Sequence, residues 1–469
     1  ATGIARFYTG RAGGADNPLL ETALGSLADS VAAAGRQRMH QYTLGGTLKL
    51  MPDERWTHTL VAGIDGDRLQ GVPGDRGALP GSFEPTLPGA EGGADRATLR
   101  LSSVGRVVDG ARADLSVTLA AEHSVLRQLL REEVHQLHGG QPPRTAPAEL
   151  ETWTHSTALV AQGNAALDDR LHLTAGLRLE RNDALAGINR HALLPVLGVA
   201  WVMESGDATV KLRGAYGRGM RPVANPGREQ VWRGMHSHLW SLRPEEQSGV
   251  EAGFDVDWRG RLSLQVTAFD QLASGLVQRV SLPAQTVGGV PQHTRYVLQS
   301  LGEITNRGWE VQGSAELGAV SLVGAMSWVD SRVRQVAPGY TGDLEPGDRM
   351  LEVPARTAAL TAEWRTRRGV FSITGYRAFD WINYDRLQLT RDLAARERAP
   401  ELTAGSWLRS YWRRYPGVTR LNATAALDVR DGLVLVLTGE NLLNYQRGEP
   451  DNLTILPGRT LTLGFRAEF

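Results

Sequence analysis

Two histidines that stand one residue apart, His236 and His238, are the first candidates for chemistry in this chain. In an extended segment both imidazoles point the same way and could reach one metal ion. A zinc site takes at least three protein ligands, and the sequence shows no third one, so we predict no metal and no cofactor. We interpret the two histidines, with Trp232 and Trp240 beside them, as ligand-binding candidates in a surface loop.

A second group combines aromatic and arginine side chains within residues 378–416. Aromatic faces with nearby guanidinium groups can stack on a sugar, an aromatic or a cofactor-like ligand. Trp and Tyr also anchor membrane proteins at the level of the lipid headgroups. The sequence leaves both interpretations open. The ligand-binding candidates of this group are Trp381, Tyr384, Trp407, Tyr411 and Trp412, and the arginines among them are Arg386, Arg409, Arg413 and Arg414.

A third group consists of charges that alternate with apolar residues. Such charges either line the path of a solute or wet the lumen of a water-filled barrel, and the second interpretation is the simpler one. They are therefore lumen candidates without an assigned ligand. The group comprises Arg178, Glu180, Lys211, Arg213, Glu251, Asp255 and Glu310, and Glu316 likewise lies opposite the apolar face of its strand.

Composition and missing motifs exclude several classes of protein. The chain has 51 Lys and Arg against 51 Asp and Glu, so no net field draws it toward nucleic acid. It has no cysteine, and hence no disulfide and no thiolate nucleophile. No serine elbow, zinc-protease helix, phosphate loop or dinucleotide fingerprint is present. We predict no enzymatic activity; a hydrolase built from scattered residues stays the less favoured alternative.

The elements that must position these candidates are amphipathic strands of period two. Apolar residues alternate with polar ones over residues 171–180, 250–258, 421–430 and 461–469. No apolar run approaches the roughly 18 residues of a membrane-spanning helix. A strand in water hides its apolar face, whereas a strand in lipid turns it outward. The alternation by itself fits both solvents.

The lengths of the connections between the strands indicate that the apolar face contacts lipid. Short turns are expected near residues 52–54, 108–110, 167–169, 204–207, 258–260, 317–319, 366–369 and 430–432. Longer polar segments rich in Gly and Pro lie between them, over residues 67–96, 123–151, 220–247, 281–303, 333–352 and 378–416. This alternation is typical of an antiparallel transmembrane barrel and rare in a Greek-key sandwich. We predict an all-β, antiparallel transmembrane β-barrel over residues 1–469, with about 18 strands.

Two short helices are also predicted within the connections. Asn17 and Pro18 suit the start of a helix that ends near Val31. A second helix is expected over residues 125–137. Glu132, His135 and His138 could lie along one helical face, but they lack the partners of a di-iron site on other helices, and we expect them to be solvated at the surface.

Four stretches resemble the barrel of TonB-dependent outer-membrane receptors. Leu242, Pro244 and Glu245, followed by Glu251 and Gly253, are similar to the motif with which that family begins a barrel strand. Residues 306–310, residues 440–445, and Pro457-Gly-Arg459 with the last strand resemble its other recurring motifs. Each motif is short, but their order and spacing make the resemblance specific over about residues 200–469.

The resemblance implies energised uptake of a scarce ligand through a barrel of 22 strands that encloses a plug. Neither a plug nor a coupling motif is visible in the sequence, so we expect the plug and first strands to be missing from this chain or to lie on another one. The implied partners are outer-membrane lipid, a TonB-type energising complex, and a plug or surface-lipoprotein chain. The implied location is the outer membrane of a Gram-negative-type bacterium, and Phe469 would be the terminal assembly signal. A plugless passive channel is the main alternative, and a soluble all-β binding module is less favoured.

Overall fold

The computed structural model describes residues 1–13, 36–72, 91–136, 144–183, 185, 191–221, 242, 244–282, 286–287, 290–291, 295–394, 405–446 and 451–467. In this part of the chain, 18 strands form one antiparallel sheet, as the sequence predicts. Two small hairpins, β12 with β15 and β13 with β14, stand apart from it. The strands are β1 (Thr2–Gly13), β2 (Arg36–Leu50), β3 (Trp56–Val72), β4 (Glu91–Asp109), β5 (Ala113–Gln136), β6 (Arg144–Leu167), β7 (Leu171–Asn182), β8 (His191–Ser205), β9 (Ala208–Arg221), β10 (Glu245–Trp258), β11 (Leu262–Ser274), β12 (Val277–Leu282), β13 (Thr286–Val287), β14 (Val290–Pro291), β15 (Arg295–Ser300), β16 (Gly302–Leu317), β17 (Val320–Val336), β18 (Arg356–Thr366), β19 (Gly369–Tyr384), β20 (Trp412–Arg430), β21 (Leu433–Glu440) and β22 (Thr460–Ala467).

Each strand of the large sheet pairs with its neighbour along the chain. Strand β11 pairs directly with β16, because the two small hairpins lie between them in sequence but outside the sheet. Among the described residues, β1 pairs with β2 alone and β22 with β21 alone. This up-and-down order places the short turns at one end and the long connections at the other. We refer to them as the short-turn end and the long-loop end.

The short turns form where the sequence predicts them. Asp168 and Asp169, between β6 and β7, have φ angles of 51° and 54°. Two successive left-handed residues match the twist of a tight hairpin, and Asp tolerates that conformation. At the turn between β2 and β3, Asp53 accepts hydrogen bonds from the backbone amides of Arg55 (2.8 Å) and Trp56 (2.7 Å). Local side-chain chemistry thus sets the register of the hairpins.

The prediction of a helix over residues 125–137 is wrong. Strand β5 runs through this segment to Gln136 and pairs with β6 over its whole length, so that His135 stands opposite Thr145. The apolar spacing fits either period, and the hydrogen bonds offered by β6 decide for a strand. The helix predicted from Asn17 to Val31 lies outside the described residues, as does His138.

The segment 378–416 is less of a loop than predicted. Strand β19 continues to Tyr384 and β20 begins at Trp412, directly opposite. Between them lie the helix α1 (Arg386–Ala394) and a short 3-10 helix (Gly405–Tyr411). None of the helices in the described ranges is long and apolar enough to cross a membrane.

The two faces of the sheet differ from those of a protein in water, because the apolar side chains are exposed and the charged ones are partly buried. On β7, Leu173, Leu177 and Leu179 are exposed, whereas Arg178 and Glu180 on the opposite face are half-buried. On β22, Leu461, Leu463 and Phe465 are all more than 60 % exposed (67 %, 63 % and 69 %). The apolar face is the outward face of the barrel wall, and the charged face is the inward one, as expected for strands wetted by lipid.

Aromatic residues flank the outward apolar band. At the short-turn end, the rings of Trp364 and Phe371 stack with their centres 5.5 Å apart. Toward the long-loop end, Trp309 and Trp328 stand opposite each other on β16 and β17. Aromatic girdles of this kind mark the two edges of the hydrocarbon layer in transmembrane barrels.

The buried core lies at the long-loop end rather than in the middle of the barrel. Leu301, Val333 and Leu344 are at most 3 % exposed and pack together with Ala273 and Ile304. Leu344 belongs to residues 337–355, which connect β17 and β18. This connection is therefore packed against the barrel wall.

Candidate ligand-binding site

A layer of structure covers part of the long-loop end and brings together the aromatic candidates from residues 378–416. It consists of residues 337–355, α1, the 3-10 helix, and the ends of β19 and β20, and we call it the loop layer. Trp381 and Tyr384 lie on β19, Trp407 and Tyr411 in the 3-10 helix, and Trp412 begins β20. The structure gives these five residues different surroundings.

Asp343 is the polar centre of the loop layer. It is 3 % exposed, and its Oδ2 atom accepts hydrogen bonds from the Tyr384 hydroxyl at 2.6 Å and from Nε1 of Trp412 at 2.8 Å. Burial raises the pKa of Asp343, and the two donated hydrogen bonds oppose this shift without cancelling it. Burial and the nearby carboxylate of Asp343 raise the pKa of Tyr384 well above its ordinary value, so its hydroxyl stays a donor.

Arg409 joins the 3-10 helix to the same connection. Its guanidinium donates to the backbone carbonyl of Asp343 at 2.8 Å and to both carboxylate oxygens of Asp348, at 2.5 and 3.1 Å. It also lies over the ring of Trp412, 4.4 Å from its centre. Although desolvation acts in the opposite direction, the hydrogen bonds from Arg409 lower the pKa of Asp348. A fork-shaped cation can satisfy all these partners at once, which fixes its position.

Most aromatic candidates in the loop layer serve its packing. Trp381 is 3 % exposed and stacks on Tyr415, with ring centres 5.7 Å apart and planes 6° from parallel. Tyr411 is buried, and its hydroxyl donates to Asp392 at 2.9 Å. Trp407 differs, because it is 57 % exposed on the 3-10 helix. Of these rings, Trp407 is the one that a ligand from solution could reach without displacing other side chains.

Four further ligand-binding candidates belong to the segment between β9 and β10. Trp232, His236, His238 and Trp240 lie outside the described residues. In the part of the chain that the structure describes, no group of three or more His, Asp or Glu side chains could hold a metal ion. The ligand-binding roles of these four residues and of the aromatic candidates stay predictions.

The lumen candidates on β7 belong to a connected inward-facing network. Arg178 lies 2.9 Å from Glu180 on its own strand and 3.5 Å from Glu122 on β5. Glu180 also accepts hydrogen bonds from Ser156 at 3.0 Å and from Asn182 at 3.1 Å. Glu122, which the sequence analysis did not identify, completes the network. Strand β6 pairs with β5 on one side and β7 on the other, and Arg178 of β7 reaches across it to Glu122 of β5.

A second inward-facing network joins β9, β10 and β11. Asp255 lies 3.6 Å from Lys211 and 3.0 Å from Arg213, and Arg213 also donates to Thr267 at 2.6 Å. Glu251 is exposed and accepts a long hydrogen bond of 3.4 Å from Gln271. Glu310 is exposed too and stands opposite Thr267 and Ser327 in the register of the sheet. The predicted charges therefore share the inward face, where Arg178, Lys211 and Arg213 pair with carboxylates on other strands.

Sequence reasoning did not single out the acidic centre of the loop layer. Asp343 and Asp348 lie in a Gly- and Pro-containing connection without periodicity, so nothing in the local pattern distinguishes them from solvated turn residues. Their partners Tyr384, Arg409 and Trp412 belong to the predicted aromatic and arginine group, for which the sequence leaves ligand binding and membrane anchoring open. A buried acid opposite an Arg and aromatic cluster emerges only when the connection folds back.

The concave patches on the outward face have the chemistry of lipid contacts. One is lined by Leu173, Leu197 and Val199, and another by Leu119, Leu159 and Leu177. They are shallow and almost entirely apolar. An apolar outward band, a charged inward face and short and long connections at opposite ends define the protein as a transmembrane β-barrel.

Comparison with known proteins gives the family. The family model described as "TonB dependent receptor-like, beta-barrel" matches residues 5–442, and the chain belongs to this family. No protein of curated function matches the sequence significantly.

Solved structures with the same fold have low sequence identity. The siderophore receptor PiuA from Acinetobacter baumannii is 14 % identical with a TM-score of 0.64, over 92 % of this chain and 65 % of PiuA. The ferric-catecholate import receptor Fiu from E. coli K12 is 12 % identical with a TM-score of 0.65, over 99 % and 72 %. The RagAB peptide transporter is 13 % identical with a TM-score of 0.65, over 93 % and 62 %. The chain thus spans about two thirds of the length of these proteins.

Proposed function

We propose that the chain is the barrel of an outer-membrane receptor that takes up a scarce ligand by TonB-coupled active transport. The observation that carries this proposal is the reversal of faces, an apolar exterior around a charged interior, in a chain of the TonB-dependent receptor family. In this proposal, residues 1–469 form one barrel domain. The short-turn end faces the periplasm and the long-loop end faces the exterior.

The outer membrane of a Gram-negative-type bacterium is the proposed location. The partners are outer-membrane lipid and a TonB-type complex, which acts through a plug, either elsewhere in the full protein or on a partner chain. A surface lipoprotein is a further proposed partner. The sequence of the gene upstream of the Ala1 codon, or a plug chain that copurifies, is the first test of the plug.

The proposed ligand is a compact chelate of the siderophore class, with a peptide as the second class to test. Two similar structures are named as siderophore or ferric-catecholate receptors and one as a peptide transporter. In this chain, exposed Trp407 offers a stacking surface on the 3-10 helix, which suits an aromatic ligand.

Uptake of a labelled ferric siderophore by cells that carry the full protein tests the proposal. We expect accumulation that disappears when TonB is deleted, whereas binding to the cell surface persists. Accumulation that is independent of TonB, with a large conductance in planar bilayers, would instead establish a passive channel. A chain that stays soluble without detergent and shows no heat-modifiable migration would overturn the membrane assignment altogether.

A matched pair of variants on β7 tests the lumen. Arg178 faces inward and pairs with Glu122 and Glu180, whereas Arg181 is exposed on the opposite, outward face of the same strand. If a solute passes along the inward network, Arg178→Gln lowers uptake and leaves surface binding intact. Arg181→Gln should change neither. Equal uptake by the two variants would remove this network from the path of the solute.

A further inference from the structure

The outward face of β16 to β19 carries arginine close to the edge of the apolar band. Trp309, Trp328, Arg356 and Phe379 stand opposite one another in register and form a row across the four strands. Arg377 lies on the same face as Phe379, one step nearer the short-turn end. Farther along the outward face in that direction, past Ala358 and Gly375, Leu360 and Ile373 are apolar and exposed.

The guanidinium groups of Arg356 and Arg377 approach one aromatic ring. Their Cζ atoms lie 5.3 Å and 4.6 Å from the ring centre of Phe379. Both arginines are exposed, and within the described residues neither forms a salt bridge with a carboxylate. Arg307, on the same outward face, differs because it pairs with Asp270 at 3.0 Å.

This arrangement has a physical cost unless an anion is present. Two cations held near one ring repel each other, and each loses hydration when its stem lies along apolar surface. On the lipid face of a barrel, the cost of an arginine rises with its depth in the hydrocarbon layer. Arg377 lies one step deeper than the aromatic row, so its energetic cost in the hydrocarbon layer is higher than that of Arg356. A phosphate between the two guanidinium groups would compensate both, because guanidinium binds phosphate oxygens through paired hydrogen bonds.

We propose that Arg356 and Arg377 bind the phosphate of an anionic lipid headgroup in the leaflet at the long-loop end. Phe379 holds the two cations in place, and the Trp309 and Trp328 rings lie beside the acyl chains at the interface. A lipid, rather than a soluble phosphate, fits the patch because the apolar band continues directly beneath it. The proposal rests on the membrane orientation proposed above.

The experiment titrates the full protein, purified in a non-ionic detergent, with lipids in native mass spectrometry. The probes are lipid A, which is a diphosphorylated glycolipid, phosphatidylethanolamine, and inorganic pyrophosphate. The test variant is Arg356→Gln with Arg377→Gln. The control is Arg259→Gln, because Arg259 lies over Trp258 at 5.2 Å but pairs with Asp207 at the short-turn end.

We expect lipid A to bind more tightly than the other two probes, and the affinity to fall about tenfold for each guanidinium removed. The control variant should bind lipid A like the unmodified protein. Equal binding by the double variant, or pyrophosphate binding as tight as that of lipid A, would overturn the proposal. Heat-modifiable migration verifies that each variant is folded, and Arg377→Gln alone replaces the double variant if that one does not assemble.

This result is separable from the test of transport. Normal lipid A binding with uptake that does not need TonB would overturn the proposed function and leave the lipid site in place. TonB-dependent uptake with no difference in lipid binding between the variants would overturn the lipid site alone.

Discussion

The hydroxyl of Tyr384 donates a hydrogen bond of 2.6 Å to the buried carboxylate of Asp343. This contact joins the end of β19 to the connection between β17 and β18. Because Trp412 of β20 donates to the same oxygen at 2.8 Å, one acid holds three segments of the loop layer together. The position of exposed Trp407 depends on this layer, since Arg409 connects its 3-10 helix to residues 343 and 348.

The first prediction concerns the pH dependence of the loop layer. Burial raises the pKa of Asp343 in the packed state, so packing favours the protonated acid. The corresponding stabilisation is complete below the ordinary pKa of Asp, about 3.9, and is lost as the pH rises through the raised value. We expect proteolysis within residues 337–355 to be faster at neutral pH for the native protein than for Asp343→Asn, and alike for the two at about pH 4.

Comparison of the native protein with Asp343→Asn isolates the pH effect of Asp343 from that of the other acids. Asp348 and Asp385, whose pKa values are lowered, lose stabilising interactions as the pH falls, but they are present in both proteins. Asp343→Ala should increase proteolysis at every pH, because it leaves the Tyr384 and Trp412 donors unsatisfied at a cost of about 1–3 kcal/mol. A ratio of native to Asp343→Asn cleavage rates that does not change with pH would contradict the prediction.

The second prediction separates ligand contact from packing among the aromatic residues. Trp407→Ala should weaken ligand binding to cells by about tenfold with no change in the unfolding midpoint, since an exposed ring contributes little to the fold. Trp381→Ala should lower the free energy of unfolding by about 3–5 kcal/mol, because it leaves a cavity against Tyr415. Ligand titration and chemical denaturation of both variants provide the measurement. Unchanged binding by Trp407→Ala would rule out this ring as a contact.

The third prediction tests the outward face. Leu360 is exposed in the middle of the apolar band, and its neighbour Ala359 belongs to the inward face. Leu360→Arg should destabilise the barrel in a bilayer by about 2–4 kcal/mol, whereas Ala359→Arg faces water and should cost little. Folding equilibria in lipid vesicles measure the difference. Equal costs for the two substitutions would mean that the faces have been assigned the wrong way round.

The fourth prediction concerns Phe469, which lies outside the described residues. Its role as an assembly signal follows from the resemblance of the last strand to that of the family. Deletion of Phe469 should lower the amount of protein inserted in the outer membrane without loss of synthesis. Quantification of the heat-modifiable band in membrane fractions measures this amount, with Phe465→Ala as the control for a lost aromatic group within β22. Unchanged insertion would count against the role.

The sequence by itself determined the strands, their approximate number and the class of barrel. Period-two alternation is a local property, as on β7 from Leu171 to Arg178, and short turns such as that at Asp53 are encoded by adjacent residues. The segment 125–137 was misassigned because its spacing fits two periods, and only pairing with β6 distinguishes them.

The tertiary structure alone decided which candidates meet. Asp343 becomes a buried acceptor because the connection after β17 folds back onto β19 and β20, across 41 and 69 residues of sequence. Glu122 reaches Arg178 because an intervening strand sets their separation, and Arg356 reaches Phe379 through the register of β18 and β19. These contacts depend on long-range pairing and on which face each strand turns to lipid, and neither is written in the local order of residues.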